Sequence, residues 1–166
     1  MSKFVLDANC FIQAHRQIYP IDVASSFWKK LKDLADREII VSIDKVRGEL
    51  FENEDELTKW IETHLDESFF KDTEVDSVLF QYQQVVTWAQ SNSDQYVPRA
   101  IEDFMQYDNA DAWLVAYAKE TNQTLVTYEV SSPNSQTKIK IPDVCKAFNI
   151  PCVNTIQMLR DLSETF

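Results

Sequence analysis

Lys3-Phe4-Val5-Leu6-Asp7-Ala8-Asn9 carries a short apolar run that ends on an acid and, two residues later, an amide. Residues 3–7 read as a short buried strand, and an acid attached directly to such a strand is costly to bury without a partner. The same punctuation recurs along the chain. Glu49 follows the run from Val41 to Val46, Asp111 opens Ala112-Trp113-Leu114-Val115-Ala116, and Glu129 follows Thr124-Leu125-Val126-Thr127-Tyr128. Acids placed this way gather at one rim of a sheet. Two carboxylates about 4 Å apart repel by roughly 4 kcal/mol at an effective dielectric of about 20, so a cluster of them persists mainly when it holds a cation. Metal-dependent hydrolysis is therefore the leading expectation.

Outward from residues 3–7 the periodicity predicts alternating elements. Residues 10–19 read as a helix stopped by Pro20, and Asp22 as the cap of an amphipathic helix through Phe27, Trp28, Leu31, Leu34 and Ala35. Residues 39–42 read as a second strand. Ile43, Val46 and Leu50 stripe a helix with Glu49 at the border of the stripe. Residues 55–91 are helical by pattern, residues 91–96 form a polar break, residues 98–105 another helix, and residues 108–121 a strongly apolar one. A strand over 124–128, a polar loop over 131–137, a helix from Pro142 to Phe148, a strand over 152–154 and a helix over 156–162 complete the chain. Strands separated by helices imply a parallel sheet covered on both faces. No repeat or linker divides the sequence, so one domain is expected over 1–166, with a helical insertion at about 55–105.

Composition narrows the function classes. At 166 residues and 45% hydrophobic, the chain can bury a full core. A formal charge of -11 speaks against a broadly basic nucleic-acid-binding surface but leaves room for a local basic lip around an acidic pocket. Cys10, Cys145 and Cys152 lack a C-x-x-C spacing and read as buried, reduced thiols. His15 and His64 form no metal-ligand pair, which argues against zinc. Gly48 is the only glycine, which removes the Gly-rich phosphate cradles of P-loop and Rossmann proteins. No signal-like segment or apolar run of membrane-spanning length is present, so a cytoplasmic protein is expected, with no membrane partner.

Ligands of open α/β sheets sit beyond the carboxyl ends of the strands, where Asp7 and Glu129 lie; Glu49 and Asp111 come from helices near that side. Carboxylate oxygens suit Mg²⁺ or Mn²⁺, which can support phosphodiester hydrolysis without a nucleophilic side chain. Asp108 shares a helix face with Asp111 and reads first as the helix N-cap. Asn9 either caps the next helix or holds Asp7 in a ligand rotamer. Thr127 is either a plain strand residue or a hydroxyl beside the metal site.

Val5-Leu6-Asp7-Ala8-Asn9 with Phe11-Ile12, then Asp111-Ala112-Trp113-Leu114-Val115-Ala116-Tyr117-Ala118, then Leu125-Val126-Thr127-Tyr128-Glu129 resemble the PIN-domain ribonucleases, the family of VapC-type toxins. Order, spacing and length agree over nearly the whole chain. The segment Lys140-Ile141-Pro142-Asp143-Val144-Cys145 resembles a less characterised PIN-like branch. The resemblance implies a three-layer α/β/α sandwich around a mostly parallel sheet of about four to five strands. It implies that Asp7, Glu49 and Asp111 are metal ligands at a catalytic site. Glu129, where many members place Asp, is the fourth acid, with Asp143 as a substitute. It further implies a Mg²⁺- or Mn²⁺-dependent endoribonuclease, the toxin of a toxin–antitoxin pair, with an RNA substrate, a cognate antitoxin and a homodimer.

The stretch 55–105 exceeds a minimal toxin and could serve as lid, dimer surface or antitoxin platform. Lys45, Arg47, Arg99, Lys138 and Lys140 are candidate phosphate contacts, while Tyr107, Trp113 and Tyr128 could stack bases but fit core packing. A haloacid-dehalogenase-like phosphatase needs a second Asp where this chain has Asn9, and a receiver domain needs a double acid before its strand. The alternative from another class is a catalytically silent PIN-like module that binds protein or RNA.

Overall fold

Phe4–Leu6, buried on both faces, forms β1 at the centre of a five-stranded sheet. The computed structural model describes residues 3–166. Around β1 lie β2 (Ile40–Ile43), β3 (Phe70–Lys71), β4 (Thr124–Val126) and β5 (Cys152–Val153), in the order β3-β2-β1-β4-β5, every pair parallel. Helices on both sides explain why β1 and β2 read as unbroken apolar runs rather than alternating ones.

The helices are α1 (Asn9–Gln13), α2 (Ser25–Asp36), α3 (Asp44–Leu50), α4 (Glu56–His64), α5 (Asp76–Ser91), α6 (Pro98–Phe104), α7 (Ala110–Thr121), α8 (Ile141–Ala147) and α9 (Thr155–Leu162). Helix α7 is apolar all round because it is enclosed: Ala110 and every residue from Ala112 to Ala118 are buried. Its outer flank is covered by α5, where the Tyr82 and Trp113 rings stack 3.9 Å apart. One hydrophobic core runs from Phe4 to Leu159. Among the described residues no helix is long and apolar enough to cross a membrane.

Three local expectations are corrected. The stretch 55–91 is not helical throughout: after α4 the chain makes a short 3-10 turn, Glu67–Phe69, and enters the sheet as β3, with Phe70 paired to Ser42. Two residues are too few to leave an alternating pattern. Asp22 does not cap α2, which starts at Ser25 behind Ala24 with no side-chain cap. The helix over 10–19 continues as a π-helical turn, Ala14–Ile18, closed by the Tyr19 N–H donating to the Ala14 carbonyl.

The sheet order sets the position of the site. From β1 the chain builds outward through β2 and β3, then returns to place β4 on the other side of β1. This reversal leaves a crevice beyond the carboxyl ends of β1 and β4, the usual ligand position in an open parallel sheet.

Candidate active site

Asp7 leaves β1 at that crevice. Its N–H donates to the Val126 carbonyl at 3.0 Å, so the acid is still anchored to the sheet, and the residue is only 4% exposed. The Ala8 N–H donates to Oδ1 at 2.7 Å and the Thr127 hydroxyl to Oδ2 at 2.9 Å. Asn9 completes the arrangement: its Nδ2 donates to Thr127 Oγ1 at 3.1 Å, while its Oδ1 accepts the Tyr128 N–H at 3.1 Å. Of the two roles open to Asn9, the amide therefore steadies Asp7 through Thr127, and α1 has no side-chain cap. Thr127 is both a buried residue and the hydroxyl on Asp7.

Helix α7 brings Asp111 to the same crevice. Asn109 is the N-cap, its Oδ1 accepting the Asp111 N–H at 3.0 Å; Asp108, one residue earlier, is exposed and is not the cap. Glu49, from the last turn of α3, also holds that helix start, with Oε1 accepting the Ala110 N–H at 2.9 Å. Glu129 lies beyond β4; Oε2 accepts the Ile141 N–H at 2.8 Å and Oε1 sits 3.3 Å from Lys138 Nζ. Asp143 turns away to Ser131 and Ser132, so it does not substitute for Glu129 in the cleft.

The four acids share one open cleft of about 560 Å³. Seven acids line it, Asp7, Glu49, Glu52, Asp103, Asp108, Asp111 and Glu129, against two cations, Arg16 and Lys138. Such an excess makes the cleft a cation-seeking surface. Burial pushes the Asp7 carboxyl up to about 7, with Glu129 and Glu49 adding to the rise and the Thr127 hydrogen bond opposing it. Asp111 is held well above the usual carboxylate range by burial, then by Asp7, Glu129 and Glu49. Glu49 is raised by burial, with smaller contributions from Glu52 and Asp108. Neither Asp7 nor Asp111 has a lysine or arginine within ion-pair distance among the described residues.

The donor chemistry fits a hard divalent cation: all-oxygen, carboxylate-rich, with Asp7 buried and Asp111 half-buried and neither in an ion pair among the described residues. The acids are nevertheless spread around the cleft. Among the described residues no three acidic, cysteine or histidine side chains are drawn together tightly enough to grip one ion. Two of the four candidates explain why, since Glu49 is turned to a backbone N–H and Glu129 to a backbone N–H and a lysine.

The candidate phosphate contacts fare unevenly. Lys45 is corrected outright: it is 9% exposed, bound to Asp44 and Thr73, with its ammonium over the Tyr107 and Trp113 rings. Arg47 lies over the Phe51 ring and does not line the cleft. Arg99 stands on the exposed side of α6 near Asp103. Lys138 lines the cleft, and Lys140 lines an adjoining groove with Asn9, Gln13, Ser131 and Ser132. Trp113 packs in the core, whereas Tyr107 is 60% exposed and hydrogen-bonded to Glu74. Cys10 and Cys145 are buried but Cys152 is only half-buried.

Several lining residues were not singled out from the sequence, among them Arg16, Glu52, Asn53, Asp103 and Gln106. A signal existed. Asn9, Ile12 and Arg16 are spaced three and four apart, the spacing of one helical face, whereas Glu52 and Asn53 follow the end of α3 and carry no such periodicity.

Solved structures of similar architecture include VapBC2 from Rickettsia felis bound to a DNA fragment from their promoter. It is 17% identical, with a TM-score of 0.54, and the match covers 91% of this chain and 97% of that one. FitAcB from Neisseria gonorrhoeae matches with 15% identity and a TM-score of 0.51, over 91% of this chain and 96% of that one. At these identities the likeness concerns the fold, which is PIN-like: an all-parallel five-stranded sheet flanked by helices. No curated protein matches the sequence. The family described as a domain of unknown function, DUF4411, matches residues 4–166, and the chain belongs to that family.

Proposed function

We propose that this protein is a Mg²⁺- or Mn²⁺-dependent endoribonuclease of the VapC toxin type, with a cognate antitoxin as protein partner. The observation that carries the reading is the pair Asp7, buried, and Asp111, half-buried, facing one acid-lined cleft with no lysine or arginine within ion-pair distance of either among the described residues. The PIN-like fold shared with VapBC2 supports the toxin assignment. Asp7, Glu49 and Asp111 would hold the cation, with Glu129 as fourth acid. Bound there, the ion would supply Lewis-acid activation of water and of the phosphodiester.

The remaining work belongs to the chain. Thr127 and the Ala8 N–H hold the Asp7 oxygens in fixed directions, and Asn9 fixes the Thr127 hydroxyl. Asn109 and Glu49 set the start of α7 and so the position of Asp111. Arg16 and Lys138 in the cleft, and Lys140 beside it, are the cations available to RNA phosphates.

One observation favours the silent binding module: Glu129 already has two internal partners, as a structural acid would. Titration of the purified protein with Mn²⁺, followed by incubation with single-stranded RNA, separates the two. Saturable binding and cleavage that stops in chelator are expected of the nuclease; a protein that neither binds Mn²⁺ nor cuts RNA is the module instead. Thr127→Val should weaken Mn²⁺ binding by about tenfold, the scale on which a hydrogen bond to a ligand usually acts, while Thr127→Ser keeps it. Unchanged affinity in Thr127→Val would remove Thr127 from the site.

A further inference from the structure

Lys138 sits where three cavities meet. It lines the acid cleft, a smaller cavity behind it shared with Asp103, Asn109 and Asp111, and the groove that holds Lys140. Its ammonium is 3.3 Å from Glu129 Oε1, while the other oxygen of Glu129 is fixed by the Ile141 N–H. The Glu129 side chain is 12% exposed and that of Lys138 56% exposed, so the acid is anchored and the lysine has room to withdraw. Arg16, the other cation of the cleft, is directed to Asp55 at 3.9 Å.

We propose that the Lys138 ammonium is the internal counter-ion of the acid cleft and competes with the divalent cation for Glu129, an inference that rests on the metal-dependent reading above. A divalent ion and an ammonium brought to the same carboxylate repel each other, so loading requires Lys138 to leave. Its departure is toward the groove beside it, where Asn9, Gln13, Ser131, Ser132 and Lys140 offer polar and cationic contacts but Glu129 is the only acid. The same movement frees Glu129 Oε1, the oxygen that the Ile141 N–H does not hold, to face the cation.

The experiment is calorimetric titration of Mn²⁺ into the wild-type protein and the variants Lys138→Met, Lys138→Arg and Arg16→Met. Removal of the competitor should tighten binding by about fivefold, the upper range for a partly exposed ion pair. Lys138→Arg should retain wild-type affinity, and Arg16→Met should change it by less than about twofold. In ¹⁵N-labelled wild-type protein, the Lys138 side-chain amine resonance should shift as Mg²⁺ is added. Wild-type binding with no tightening in Lys138→Met overturns the competition and leaves the nuclease reading intact. Equal tightening in Arg16→Met overturns it too, since the effect is then general charge rather than displacement. Absence of binding in both wild type and Lys138→Met overturns both readings.

Discussion

Asp7→Asn and Asp111→Asn are each expected to reduce metal-dependent cleavage of single-stranded RNA by about a thousandfold or more, equivalent to ~4 kcal/mol of lost transition-state stabilisation. Both side chains sit at the crevice beyond β1 and β4, where Asp111 feels Asp7 and both feel Glu129 and Glu49 across the cleft. Asparagine preserves the shape but offers one neutral oxygen where the carboxylate offers charge and two acceptors. In Asp7→Asn the Ala8 N–H retains its acceptor, so the strand end stays in place. In Asp111→Asn the helix start is held independently by Asn109 and Glu49. Loss of cleavage should therefore come with wild-type circular dichroism and an intact cooperative melt. Full activity in either variant, measured as initial rates with Mn²⁺ in excess, would remove these two acids from the mechanism.

Glu49→Gln provides the graded comparison. Its carboxylate is partly occupied with the Ala110 N–H, which an amide oxygen can also accept, so the loss should be smaller than at Asp7. Glu129 belongs with Glu49, since its hydrogen bond and ion pair draw it toward the α8 start. The ordering of the four acids follows from what else each carboxylate is bound to.

Much of this was legible because a parallel sheet brings all its carboxyl ends to one rim. Asp7 and Glu129 end apolar runs, and Asp111 opens one, so their meeting requires only that β1 and β4 be neighbours. Glu49 was readable from its place at the border of an apolar helical stripe. Other features left no trace in the order of residues. Asp108 and Asn109 are adjacent and both are good caps, and only the geometry of the turn selects Asn109. Lys45 looks like any surface lysine until the Tyr107 and Trp113 rings are seen to enclose it. β3 is two residues long and stands between helices, too short for a period of two. Lys138 lies in an irregular loop, where no periodicity predicts a partner, and its pairing with Glu129 depends on how that loop folds back.

The burial of Asp7 has a second consequence, for stability rather than chemistry. Its folded-state carboxyl titrates near 7 against an ordinary value of 3.8, so between those limits the folded protein holds a proton that the unfolded chain has released. Stability from this group is fully present below pH 3.8 and is lost as pH rises through about 7. The total is ~4 kcal/mol at about 1.4 kcal/mol per pH unit between those limits. Asp7→Asn removes the titration. It also leaves Thr127 Oγ1, which already accepts from Asn9 and from the Glu129 N–H, without its acceptor on residue 7, a loss of ~1 kcal/mol. The chelator-treated variant should thus be slightly less stable than the wild type near pH 4 and more stable by ~3 kcal/mol at pH 7.5, a rise in Tm of about 6–12 °C for a chain of this size. Added Mn²⁺ should narrow that gap by stabilising the wild type selectively, because only the ionised, intact site binds it. Melting curves from pH 4 to 8, with chelator and with Mn²⁺, check both parts: a difference between variant and wild type that stays flat with pH means that Asp7 is not held as a desolvated acid.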